Sequence, residues 1–236
     1  MISELNYPTL YKGEKFEDGY KGCRILVLGH QAPANGDEED TFENNRAKFV
    51  EDYKNNNIEL VKKDILDEEY KDWKKEDRRR TNTWKKFINI IHYPYKPNLD
   101  SPEAKDFLHR IAFANYLTKP CFNKNRIGTD TFEFYTNDLE AFKHYIDEAF
   151  ADNDKPNIVI AWGVNAYPHI HNYANNGDDT HCVLKNEKGA TVNVIKITHP
   201  MVANQQDTHN LIEKALKEYK KSVIFECVTG KKEVKC

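Results

Sequence analysis

Short runs of consecutive apolar residues recur along the chain and end in glycine or in polar residues. The clearest are RILVLG (24–29), NIVIAWG (157–163) and TVNVIKI (191–197), and a shorter run ends near Asn115. Runs that do not alternate with polar residues are typical of strands buried on both faces, as parallel strands beneath helices are. The pattern therefore predicts four buried, mainly parallel strands.

Between these runs, apolar residues recur at helical spacing. Ser101-Pro102 is a strong helix start, because serine caps the helix and proline suits its first position. The predicted helices cover about residues 42–55, 67–80, 83 to Pro94, a stretch from Ser101, 139–150 and 211–219. The polar segment 169–179 is predicted as a loop, so His169 and His171 within it are not assigned to a metal site. Alternating strands and helices without repeats or long linkers predict a single α/β domain over residues 1–236.

Composition narrows the class of protein. The net charge is −3 at pH 7 and the sequence pI is about 6.3, which disfavours a protein that coats nucleic acid without specificity. The first residues lack a signal-peptide core, and no run approaches the roughly 18 apolar residues of a membrane span, so a soluble, cytoplasmic protein is expected. Five scattered cysteines without a CxxC pair predict reduced thiols and no metal or cofactor.

Positive charge is nevertheless concentrated in two segments. Residues 71–86 contain eight Lys or Arg and three acidic residues, and residues 119–126 contain three more cations. Such segments either follow a phosphate backbone or form a solvated helix face with ion pairs. Both interpretations remain open from the sequence.

Polar residues gather where the predicted strands end. Gly29-His30-Gln31, Asn115 and Thr198-His199-Pro200 each follow or close an apolar run. In an open α/β sheet, ligands bind outside the carboxyl ends of the strands. We therefore predict one pocket there, with Gly29 allowing a close turn and His30 and Gln31 facing the ligand.

Four of these segments together resemble the uracil-DNA glycosylase superfamily. RILVLG with the polar, proline-containing loop after it is similar to the family's water-positioning motif, and RIAFANYL is similar to the strand whose asparagine recognises the base. NIVIAWGVNA resembles the third strand, and VIKITHPMVA resembles the strand that runs into His-Pro and a loop inserted into DNA. The resemblance covers about residues 23–220.

The resemblance implies a three-layer α/β/α sandwich around a central, mainly parallel four-stranded sheet. It also implies a monomeric, cofactor-free enzyme that hydrolyses the N-glycosidic bond of a damaged or deaminated base in DNA, with RNA the less favoured polymer. His199 would donate to the leaving base, and Asn115 would recognise its edge. The other implied roles are water positioning by His30 and Gln31, base binding by Gly29 and Phe42, with Phe42 stacking on the base, and a DNA wedge at Met201 and Val202. If DNA is bound, the two positively charged segments would contact its backbone through Arg78, Arg79, Arg80, Lys124 and Arg126.

The water loop departs from the family's pattern. Gln31 stands where an Asp or Asn is usual, and glutamine can orient a water but cannot take its proton, whereas His30 can. Two further functions therefore stay open. One is a catalytically inactive module that binds a base or nucleic acid, and the other is an N-glycosidic hydrolase of free nucleosides or nucleotides.

Overall fold

A computed structural model describes residues 10–29, 78–99, 101–116, 136–163, 166–174 and 176–229, with the backbone alone at 78–82, 136–137 and 222–229. The strands are β1 (Tyr11–Lys12), β2 (Arg24–Gly29), β3 (Ile111–Asn115), β4 (Asn157–Trp162), β5 (His181–Lys185) and β6 (Thr191–Ile197). The helices are α1 (Arg78–Ile91), α2 (Pro102–His109), α3 (Thr136–Ala149), α4 (Ala166–Ala174) and α5 (Gln205–Thr229). A 3₁₀ turn covers Phe16–Asp18.

The described strands form one mixed sheet in the order β1-β3-β2-β4-β6-β5. The inner four, β3-β2-β4-β6, are parallel, and their register pairs Gly29 with Asn115 and Trp162 with Ile197. The edge strands β1 and β5 are antiparallel to their neighbours. The α/β class and the mainly parallel sheet are confirmed, but the predicted count of four strands is wrong because it omits both edges. The strand β1 has only two residues, and β5 alternates buried and partly exposed positions, so neither forms a continuous apolar run.

Successive residues of the inner strands bury their side chains on opposite faces of the sheet. Leu26 and Leu28 belong to a core cluster that includes residues of α3 and α4, and we call this side the α3/α4 face. Ile25 and Val27 belong to a second cluster that includes residues of α1, α2 and α5, and we call this side the α1/α5 face. Helices therefore cover both faces of the inner strands, which explains the unbroken apolar runs within β2, β3 and β4.

Two predicted helix starts have different outcomes. The start at Ser101 is confirmed, because its Oγ accepts a hydrogen bond from the Ala104 N–H at 3.2 Å and Pro102 is the first helical residue. The predicted separation of one helix ending at 80 from another beginning at 83 is wrong, since α1 runs without a break from Arg78 to Ile91. The predicted helix over 42–55 and the rest of the one over 67–80 lie outside the described residues.

The loop prediction for 169–179 is wrong over its first half, because Ala166–Ala174 is the helix α4. Ala166, Tyr167 and Ile170 are buried against the α3/α4 face, so tertiary burial stabilises a helix whose sequence is polar and contains Pro168. In the described ranges, no helix has the length and apolarity to cross a membrane. Over the same ranges, no three His, Cys, Asp or Glu side chains are grouped so as to hold a metal ion.

Candidate functional site

The strands β2 and β4 are neighbours, and the first described helices after each of them lie on opposite faces of the sheet. The chain after β2 leads to α1 and α2 on the α1/α5 face, and the chain after β4 leads to α4 on the α3/α4 face. Such a divergence opens a crevice at the carboxyl ends of the two strands, which is the usual ligand position in open α/β sheets. The topology therefore places the candidate site beside Gly29 and Gly163.

Gly29 and Asn115 lie side by side at this edge. They are paired in the sheet register, and the Tyr116 N–H donates to the Gly29 carbonyl at 2.8 Å. A Cβ added at Gly29 would lie 2.5 Å from Asn115 Oδ1 and 3.2 Å from the Phe113 ring. Only glycine leaves room here for the amide of Asn115, whose exposure is 5%. Glycine is therefore required at position 29, because a side chain there would occupy the space of the Asn115 amide.

Trp162 and Gly163 end the next strand. The Gly163 N–H donates to the Ile197 carbonyl at 2.9 Å, and Gly163 has a φ of +83°, which favours glycine. The Trp162 ring packs on the α1/α5 face against Trp84, Phe87 and Phe113, with ring centroids 4.8 to 5.9 Å apart. Its Nε1–H is buried and has no hydrogen-bond partner among the described residues. These aromatic rings therefore form a packed cluster on the α1/α5 face, next to the carboxyl ends of the strands.

His199 follows β6 in a compact turn. Its carbonyl accepts the N–H groups of Val202 and Ala203 at 3.0 and 3.1 Å, and its Nδ1 accepts the Met201 N–H at 3.3 Å. The imidazole also contacts the Trp162 ring edge-on, with centroids 6.3 Å apart. A ring nitrogen that accepts a backbone N–H carries no proton, so the proton of the neutral ring is on Nε2.

Burial lowers the pKa of His199 below its ordinary value, and this favours the neutral ring near pH 7. Over the described ranges, Nε2 has no protein hydrogen-bond partner. The site therefore contains a neutral imidazole N–H donor that is available to a ligand.

Asn115 and His199 share both an edge and a face of the sheet. Asn115 lies in register two residues beyond Phe113 on the α1/α5 face, and the His199 ring contacts Trp162 on that same face. The strands β2 and β4 separate them, which corresponds to roughly 14 Å between backbones at the usual strand spacing. At this separation the two side chains do not reach each other, and a ligand between them could contact both.

The structure also places the predicted DNA-contacting residues that it describes. Val202 is 77% exposed at the turn after His199, and Met201 beside it is partly buried. Trp84, in the middle of α1, contacts Trp162 at the strand ends, whereas His92, just after α1, contacts Phe107. The amino-terminal half of α1 is therefore the half nearer the candidate site, and Arg78, Arg79 and Arg80 are its first three residues.

Five predicted site residues, His30, Gln31, Phe42, Lys124 and Arg126, lie outside the described residues. The structure also adds two residues to the site. Trp162 had a signal in the sequence, the Trp-Gly pair that ends an apolar run. Lys86, whose Nζ donates to the Met201 carbonyl at 2.6 Å, had none, because nothing in a Lys-Lys pair shows which lysine faces a turn 115 residues away.

Comparison with known proteins identifies no relative: no protein-family model matches the chain, and no curated protein is significantly similar to it.

Proposed function

We propose that this protein is a DNA glycosylase-like enzyme that hydrolyses the N-glycosidic bond of a damaged or deaminated base. The observation that carries the proposal is the position of His199, a neutral Nε2–H donor on the same edge and face of the sheet as Asn115. The proposal includes the three-layer α/β/α sandwich of the uracil-DNA glycosylase superfamily. Helices on both faces of a mainly parallel sheet are compatible with that architecture.

The chemistry of base excision calls for such a donor. The bond from the sugar carbon to the base nitrogen breaks with its electron pair going to the base, so negative charge develops on the base and positive charge on the sugar. A preorganised hydrogen bond to the base oxygen stabilises the anion without added reorganisation. His199 Nε2–H performs this role, and partial burial, which lowers the pKa of His199, favours the neutral ring whose one N–H is on Nε2.

The attacking water forms the new bond to the sugar carbon and loses one proton. Gln31 orients this water, and His30 accepts the proton, since a glutamine amide is not a base at ordinary pH. Both residues directly follow Gly29, the residue that ends β2 beside the crevice.

Asn115 supplies recognition of the base. A side-chain amide presents one acceptor oxygen and two donor hydrogens, which complement the mixed donor and acceptor edge of a pyrimidine turned out of the helix. The neighbouring glycine keeps this amide in place, because any larger residue at position 29 would displace it. Gly29 thereby couples base recognition by Asn115 to water positioning by the two residues that follow it.

DNA would lie across the carboxyl edge of the sheet. Arg78, Arg79 and Arg80 begin the helix whose Trp84 contacts Trp162 at this edge, and their cations would neutralise phosphates. The exposed Val202 is suited to enter the base stack, as apolar wedges do in other DNA-binding proteins. Lys124 and Arg126 belong to the second basic segment that we assign to the backbone.

The test is excision from single-stranded oligonucleotides that carry uracil, hypoxanthine or xanthine. We expect the wild type to release a base from at least one strand, and His199→Ala to release it on the order of a hundred- to a thousandfold more slowly, or about 3 to 4 kcal/mol in the activation barrier. Circular dichroism of both proteins controls for folding. An unchanged rate in His199→Ala would refute the role of His199.

One observation favours a second function, a base-binding module without activity. The residues after Gly29 offer no carboxylate at the position of Gln31. If neither the wild type nor Gln31→Asp cleaves any of these strands while the wild type still binds them, the module is the better account. Because phosphate neutralisation makes nucleic-acid affinity fall steeply with salt, a weak salt dependence would instead indicate a free nucleoside or nucleotide as substrate.

A further inference from the structure

One lysine on α1 is bonded to the turn that carries His199. Lys86 Nζ donates to the Met201 carbonyl at 2.6 Å, and the Lys86 side chain is only partly exposed. A bond between an ammonium group and a carbonyl is charge-assisted and stronger than a neutral one. This bond joins two elements that are 115 residues apart in the chain.

The bonded peptide unit is also the one that closes the turn. The carbonyl of Met201 and the N–H of Val202 belong to the same peptide plane, and this N–H donates to the His199 carbonyl at 3.0 Å. On the other side of the Met201 Cα, its own N–H donates to His199 Nδ1 at 3.3 Å. The bonds from the Val202 N–H and from the Met201 N–H to His199 therefore both depend on the backbone angles of Met201, which the Lys86 bond constrains.

Other hydrogen bonds join α1, and the residues just after it, to α5. The Ile90 carbonyl lies 2.8 Å from His209 Nδ1, and the Tyr93 hydroxyl lies 3.4 Å from Gln206 Oε1. Both partners are in the first turns of α5, which begins directly after the His199 turn. Lys86 thus extends from a helix that is itself fixed next to the turn.

We propose that Lys86 is a positioning residue that keeps the proton of His199 on Nε2 by fixing the Met201 peptide units. The inference rests on the proposed function for its catalytic consequence. Its structural part does not, since the tautomer of His199 can be measured whether or not the protein is an enzyme.

The experiment compares Lys86→Met with Lys155→Met. Methionine keeps most of the apolar stem and removes the ammonium group. Lys155 is the matched control, because its Nζ also donates to a backbone carbonyl, that of Glu17 at 2.9 Å. It lies just before β4, at the amino end of the parallel strands and away from the candidate site. Both variants lose one positive charge and one lysine–carbonyl bond, and Lys155→Met also loses an ion pair with Asp154 at 3.6 Å, so any general effect of removing the lysine should be at least as large in the control.

The first measurement is the ¹⁵N spectrum of the His199 ring, assigned with His199→Gln. We expect the wild type and Lys155→Met to show an unprotonated Nδ1 and a protonated Nε2. In Lys86→Met the two resonances should move toward each other as the second tautomer becomes populated. Lys86→Arg, which retains a charged donor, should keep the wild-type spectrum, and Lys86→Ala serves in place of Lys86→Met if that variant does not fold. A wild-type spectrum in Lys86→Met, or a shifted one in Lys86→Arg, would overturn the proposal.

The second measurement is the single-turnover excision rate with the protein in saturating excess over the strand, which separates chemistry from DNA binding. We expect about a tenfold loss in Lys86→Met, which is near the lower limit for one charged hydrogen bond, and no loss in Lys155→Met. Equal rates in the two variants would overturn the catalytic part. An inactive wild type would instead refute the proposed function, and the ring spectrum would still decide the role of Lys86.

Discussion

The two ends of the parallel strands use polar residues in opposite ways. At the amino end, the guanidinium of Arg24 is buried and bonds to the carboxylates of Asp152 and Asp154. Asn157 at the same end donates to the carbonyls of Asp152 and Thr191 at 2.7 and 3.2 Å. At the carboxyl end, the imidazole of His199 is bonded through Nδ1 alone among the described residues.

The pKa shifts follow this difference. Hydrogen bonding with Asp154, and then with the Arg24 guanidinium, lowers the pKa of Asp152, so that carboxylate is stabilised by its partners. The pKa of His199 is lowered by burial with no charged partner, so its neutral form is kept by exclusion of water. A group whose pKa is shifted by burial and that has no charged partner among the described residues is the kind of group found at functional sites. The comparison therefore separates a structural polar cluster from a candidate site.

The largest effect we expect in this comparison comes from Gly29→Ala at the carboxyl end. The new Cβ would lie 2.5 Å from Asn115 Oδ1, so Asn115 or its strand must move. Overpacking of this kind costs about 1 to 3 kcal/mol in the free energy of unfolding, and we expect base excision to be lost with it. Urea denaturation and the excision assay measure the two effects.

Gly163→Ala is the control, because it separates space from backbone conformation. In the described part of the chain, nothing lies within 4 Å of a Cβ at Gly163, but its φ of +83° disfavours alanine. We expect Gly163→Asn to be more stable than Gly163→Ala, since asparagine tolerates a positive φ. If Gly29→Ala were as stable and as active as the wild type, the close approach between Gly29 and Asn115 would not be required.

The next effect is Arg24→Met at the amino end. Methionine fills the buried volume but removes the bonds to Asp152 and Asp154, and these carboxylates are 58% and 57% exposed, so water replaces part of the loss. We expect the free energy of unfolding to fall by about 1 to 2 kcal/mol, measured by urea denaturation. Single-turnover excision should stay at the wild-type rate. A large loss of activity with little loss of stability would contradict the separation of the two ends.

The smallest effect is a pH dependence of stability at the carboxyl end. Because the folded protein lowers the pKa of His199, the unfolded chain binds its proton more readily. The stability contributed by neutral His199 is therefore present above its unfolded pKa of about 6.5 and is lost as the pH falls from there toward the folded pKa. We expect His199→Gln to reduce the slope of unfolding free energy against pH in this window, by at most about 1.4 kcal/mol per pH unit.

Urea denaturation at a series of pH values measures this slope. Burial lowers the pKa of His92 and of His169 as well, so part of the slope should remain in His199→Gln. An identical slope in the wild type and His199→Gln would show that His199 is not kept neutral by burial.

Much of the fold could be predicted because its signals are local. The strand β2 is an unbroken apolar run, and the start of α2 is encoded by Ser101 and Pro102 within four residues of the bond that caps it. The strand β5 and the helix α4 could not be predicted in this way. His181–Lys185 lies at the edge of the sheet, and Ala166–Ala174 is stabilised by burial of Tyr167 and Ile170 against a distant part of the chain.

For the candidate site, the sequence by itself determined which residue types stand at the ends of the apolar runs, including Asn115 and His199. It did so because strand length and burial depend on neighbours a few residues away. Only the tertiary structure decided that these two share one face and that Lys86 bonds to the turn after β6. It also decided which ring nitrogen of His199 carries the proton, since that depends on how the chain folds the Met201 N–H back onto Nδ1. A hydrogen bond requires a particular distance and direction between two groups, and these are set by the packing of α1 and β6 rather than by the order of residues along the chain.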